Sequence, residues 1–75
     1  MPREKFESIV LFKKPQDVIK IIGRPDQRSG SFPFEQTGSD DWMYKHKTYD
    51  PLTGHADSYT WVKIRFGIVA EVTYW

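Results

Sequence analysis

The sequence predicts an α+β fold, with two N-terminal helices packed on one face of a three-stranded antiparallel sheet (ααβββ). Three observations predict it. Apolar residues recur at helical spacing before Gly23, and they alternate at strand spacing after Tyr59. A polar tract rich in Ser, Gly and Pro separates the two regimes. With 75 residues the chain makes one small domain, 1–75. Such a domain has a thin core, which the 3 Trp, 4 Tyr and 5 Phe help to fill.

Phe6, Ile9 and Val10, at i, i+3 and i+4, predict a first helix from about Arg3 to Phe12. Glu4 and Glu7 lie near its start, and Lys13 and Lys14 near its end, where the helix dipole favours them. A strand through Ser8–Phe12 competes, because Ile9 and Val10 are β-branched. The second helix opens on Pro15, whose missing N–H costs nothing at the first helical position. Asp17 sits in its first turn, and Val18, Ile19 and Ile22 share a face. Gly23 and Pro25 end it.

Arg24 to Asp41 reads as a loop, with Arg24 and Arg28 as solvated charges. Phe32 and Phe34, around Pro33, make part of it either an anchored surface loop or a recognition loop. Trp42 to Tyr49 alternates as a strand. Met43, Lys45, Lys47 and Tyr49 point one way, and Trp42, Tyr44 and His46 the other. Asp50 to Gly54 reads as a turn. Tyr59 to Trp75 reads as a strand pair, in which Val62, Ile64 and Phe66 alternate with Trp61, Lys63 and Arg65. A three-residue loop, Gly67-Ile68-Val69, would set Phe66 against Ala70, Ile64 against Val72 and Val62 against Tyr74. On the other side Arg65 would face Glu71, Lys63 would face Thr73 and Trp61 would face Trp75. A two-residue loop setting Ile64 against Glu71 would mix the faces, so the pattern favours the longer loop. The predicted core joins Val62, Ile64, Phe66, Ala70, Val72 and Tyr74 to Val18, Ile19 and Ile22.

Composition excludes several classes of function. With no Cys there is no disulfide framework, thiolate zinc site or Cys nucleophile. A net charge of +1 gives no global pull towards nucleic acid or anionic membrane. The apolar run Ile9 to Phe12 is too short for a signal peptide or a membrane span. As written the chain reads as cytoplasmic; a chain that had lost a leader would read the same and would belong to the envelope. His46 and His55, with Asp50 and Asp57 nearby, match no zinc or hydrolase spacing. Asp40-Asp41 reads as the approach to a strand, where adjacent side chains point apart. Gly23-Arg24-Pro25 follows a helix, whereas anion sites use helix N-termini. The expectation is a non-enzyme with no catalytic residues, no cofactor, no metal ligands and no small-molecule substrate.

The order of motifs resembles that of the SmpA/OmlA (BamE-like) family of small lipoprotein domains. Val18 to Asp26, VIKIIGRPD, is similar to its helix-to-loop signature, Trp42-Met43-Tyr44 to its "W.Y" strand, and Val62 to Val72 to its hairpin. The leader, the lipidation Cys and the "G-M-T" helix start of the family are not matched in this sequence. The resemblance implies an ααβββ fold and a role in binding other proteins, as outer-membrane members do in barrel-protein assembly. The related β-lactamase-inhibitor-protein fold binds through an aromatic-rich sheet surface.

The sheet face turned away from the helices is the candidate site: Tyr49, Tyr59, Trp61, Lys63, Arg65 and Trp75, with Lys45 and Lys47 beside them. Aromatic anchors flanked by cations suit a protein partner or a second copy of the chain. The same interleaving suits a single-stranded nucleic acid, although Glu71 among the cations would repel phosphate.

Overall fold

A computed structural model describes residues 1–28 and 39–75. The expected Phe32 and Phe34 loop lies outside the described residues. Helix α1 spans Arg3–Val10 and α2 spans Pro15–Ile22. The Phe6 N–H donates to the Pro2 carbonyl, which starts α1. Leu11 caps it onto the Glu7 carbonyl, and Phe12, at φ 63°, turns the chain out. The helix therefore stops two residues earlier than Phe12. Pro15 begins α2, and Gly23, at φ 107°, ends it while donating to the Ile19 carbonyl at 2.9 Å. A side chain would strain that backbone, so the sequence needs glycine there.

The sheet has four strands in the order β1-β2-β3-β4, all antiparallel: β1 Gln27–Arg28, β2 Asp40–Lys45, β3 Tyr59–Arg65 and β4 Ile68–Tyr74. The α+β class is as expected, but the sheet gains a strand. β1 pairs Gln27 with Met43 and Arg28 with Trp42; two residues are too few to carry a periodicity. β2 also begins earlier than Trp42 and ends at Lys45 rather than Tyr49, because His46 adopts φ 55°. Tyr49 instead makes isolated bridges with Pro2 and Ala56.

The hairpin corrects the expected register. Arg65 pairs with Ile68 and Ile64 with Val69, across a two-residue turn of Phe66 and Gly67 at φ 55° and 81°. Positive φ at both positions matches the twist of the strands. A bulge then shifts the pairing, so that Lys63 faces Glu71, Val62 faces Val72, Trp61 faces Thr73 and Thr60 faces Tyr74. The extra residue at Ala70 restores the faces that an unbroken short hairpin would have swapped. Phe66 accordingly leaves the expected core and is 94% exposed, and Ala70 is exposed too.

The core lies between helices and sheet. Phe6, Val10 and Val18 pack with Trp42, Tyr44, Val62, Ile64 and Val69, and Ile9, Leu11, Ile22 and Val72 close its rim. The Phe6 and Tyr44 rings meet edge to face, with centroids 6.1 Å apart. Ile19 stays at the surface, 37% exposed, because a two-turn helix can turn only a narrow stripe inward.

Candidate functional site

Strand alternation puts Asp41, Met43 and Lys45 of β2, Tyr59, Trp61, Lys63 and Arg65 of β3, and Glu71 and Thr73 of β4 on the face away from the helices. The ladder sorts them into rows. Met43, Trp61 and Thr73 form one, and Asp41, Lys63 and Glu71 the next. Trp75 continues the face beside Tyr59, with which it exchanges two backbone hydrogen bonds of 2.9 and 3.1 Å. A groove of about 280 Å³ opens here, lined by Asp41, Trp61, Lys63, Thr73 and Trp75.

Three of the six expected site residues thus line one groove: Trp61, Lys63 and Trp75. The two indoles are not directly opposed as expected. Trp61 faces Thr73, so they meet the groove from diagonal positions. Trp61 is half-buried, whereas Trp75 is 73% exposed. Tyr59 stands at the margin, exposed and opposite Lys45. Arg65 is not paired with Glu71; its guanidinium holds the Asp41 carboxylate at 2.8 Å and the Asp40 carbonyl at 3.2 Å. Tyr49 falls beyond β2 and is not part of the groove. Sequence reasoning missed Asp41 and Thr73 as groove walls. Extending the alternation two residues back from Met43 would have found Asp41, whereas Thr73 already lay on the expected face, opposite Lys63, and reaches Trp61 only through the short turn and its bulge.

Two buried aspartates brace the ends of this surface. Asp57, 1% exposed, accepts hydrogen bonds from Arg3 and from the Thr48 hydroxyl at 2.7 Å, and Thr48 in turn meets Thr60 at 2.7 Å. The Arg3 guanidinium also stacks 4.6 Å over the Tyr74 ring. The Arg3 hydrogen bond, helped by Thr48, holds the Asp57 carboxyl below the usual carboxylate range despite burial. This network pins the N-terminus to the segment after β2. Of the two aspartates near the histidines, Asp57 is thus bound to Arg3 and Thr48, while His46 and His55 are exposed. Asp40 is buried on the helix side. It accepts from Arg28 and from the Trp42 indole, both at 2.7 Å. Burial pushes the Asp40 carboxyl up, but those hydrogen bonds outweigh it and leave the group below its ordinary value. Arg28 is therefore exposed, as expected, but also anchored, and it lies 5.8 Å over the Trp42 ring. A second cavity of about 230 Å³ opens there, lined by Ile19, Arg24, Pro25, Arg28 and Trp42.

Among the described residues no helix is long and apolar enough to cross a membrane, and no three His, Asp or Glu side chains gather where they could hold a metal ion. No family model, curated protein or solved structure matches this chain.

Proposed function

We propose that the chain is a non-catalytic interaction domain that binds a protein partner through the outer sheet face. The groove between Trp61 and Trp75 carries this reading. It offers two large aromatic surfaces of low conformational entropy beside Lys63, and an apolar side chain of the partner would fill it. The Asp41–Arg65 pair at its edge is only partly buried, so it contributes orientation rather than much affinity. Resemblance to the SmpA/OmlA family points the same way, since the family members bind proteins. Single-stranded nucleic acid fits less well, because Asp41 and Glu71 flank Lys63 along the middle row and would face the phosphates.

A displayed random-peptide library selected against the full chain tests the proposal. Selected peptides should lose about tenfold or more in affinity on Trp75→Ala, a hot-spot loss of about 1.4 kcal/mol. The same change should alter unfolding free energy by less than about 0.5 kcal/mol. Peptides that bind Trp75→Ala and Trp61→Ala as tightly as the native chain would remove the groove from the interface. Tight binding of a single-stranded oligonucleotide, falling steeply with salt, would hand the face to the nucleic-acid reading.

A further inference from the structure

β4 forms one margin of the sheet, and its two backbone sides can be told apart. Tyr59 and Trp75 donate to each other's carbonyls, which fixes the phase of the ladder. By alternation Thr73 and Glu71 direct their peptide groups at β3, while Val72 and Tyr74 direct theirs away from the sheet. Val69 also points outward, but there the chain closes its own edge. The Phe12 N–H donates to the Val69 carbonyl at 2.8 Å, and the Val69 N–H donates to the Lys13 carbonyl at 3.0 Å. Among the described residues no hydrogen bond reaches the outward N–H and C=O groups of Val72 and Tyr74. The α1–α2 connection thus protects the first part of the edge and leaves the last part open.

We infer that two copies of this chain pair through that opening, β4 against β4, antiparallel about a two-fold axis at Thr73. This register sets Val72 against the partner's Tyr74 and Tyr74 against the partner's Val72, so every outward group finds a mate. An axis at Val72 would strand Tyr74 against the bulged Ala70, where the ladder is already broken. The side chains fit the same choice. Thr73 meets the partner's Thr73, a favourable cross-strand pair, and Glu71 meets the partner's Trp75, so no like charges oppose. The open stretch lacks the Lys or Pro with which isolated edges defend themselves. The contact is short and belongs to the small, transient class of interfaces, so the dimer forms with rising concentration. It makes one continuous sheet and sets the two Trp61–Trp75 grooves side by side, which would let a bivalent partner gain avidity.

Sedimentation velocity over about a hundredfold range of chain concentration, with amide exchange read by NMR, tests the pairing. The native chain should pass from monomer to dimer, and the Val72 and Tyr74 amides should slow in exchange as it does. Val72→Pro removes an outward N–H without touching the β3 ladder, so it should give a folded monomer. Should that variant fail to fold, chemical synthesis with an N-methylated Val72 amide keeps the side chain and blocks the same donor; it too should be monomeric. Trp61→Ala breaks the groove but not the edge, so it should abolish peptide binding while the dimer persists. That separates failure of this inference from failure of the groove reading. A native chain that stays monomeric throughout would overturn the pairing. So would a dimer that survives N-methylation at Val72, or one in which the Val72 and Tyr74 amides exchange as fast as in the monomer.

Discussion

Trp42 and Trp75 sit on opposite sides of one sheet. On the helix side the Trp42 indole is buried, and its N–H donates to a buried aspartate. On the open side Trp75 projects into solvent over a groove. The helix side is closed by side chains from α1, α2, β2, β3 and β4, and among the described residues no buried side-chain N or O is left without a partner. The open side keeps aromatic area that this chain does not cover. The difference separates two uses of the same residue type. An indole whose N–H is consumed inside the molecule serves the fold; one left at a groove margin is available to something else.

The largest expected effect breaks the helix side. Phe6 is fully buried against Tyr44, Val10 and the sheet. Phe6→Ala should cost about 3–5 kcal/mol in unfolding free energy, since both transfer energy and a cavity are lost. In a domain of this size that approaches the whole stability, and denaturant titration would read it as a collapse of the transition. A loss below about 1 kcal/mol would mean that the helices do not close this face as described.

A middle-sized effect sharpens the contrast at the end of the sheet. Asp57→Asn keeps the shape but weakens the bonds to Arg3 and Thr48, and it should cost about 1–3 kcal/mol. The acid behaviour follows from the same groups. Asp57 and Asp40 both bind a proton less readily in the fold than in the unfolded chain. Their contribution is therefore fully present above the ordinary carboxylate value of about 4, and it is lost as pH falls through the lower folded values. The native chain should weaken progressively in acid, and Asp57→Asn should flatten that loss. At the alkaline end Tyr44 and Tyr74, raised chiefly by burial, should make stability fall above about pH 10. Melting curves across pH check both limbs; an Asp57→Asn variant with the native acid slope would show that Asp57 is not responsible.

The helices and the side assignment of most strand residues were legible because burial imposes a strict period. Val62 and Ile64 lie inward and Trp61, Lys63 and Arg65 outward, as their alternation dictates. β1 was not legible, since Gln27 and Arg28 are polar, short and held only by pairing with β2. Nor were the anchored roles of Arg28, Asp40 and Asp57, because each depends on a contact distant in sequence. The Trp61–Trp75 face was legible as a face, but not as a groove with Asp41 and Thr73 in its walls. That required the turn. A pattern of alternation reports parity and cannot distinguish a long loop from a short turn followed by a bulge, because both restore the same faces.

The turn itself supplies the smallest effect, and one opposite in sign. Phe66 is almost fully exposed and sits at φ 55°, ahead of Gly67 at φ 81°. A side chain with a Cβ in the left-handed region costs about 1–2 kcal/mol, least for Asn. Two-residue hairpins of this geometry favour Asn-Gly. Phe66→Asn should therefore stabilise the fold by about 1 kcal/mol and raise the melting temperature, because the phenyl ring packs on nothing that the change would uncover. It should leave the groove untouched, since Phe66 lies past the Arg65–Ile68 pair that closes the hairpin. If instead Phe66→Asn loosened the fold, the hairpin would close elsewhere. The three-residue loop would return, and Trp61 would again stand directly opposite Trp75.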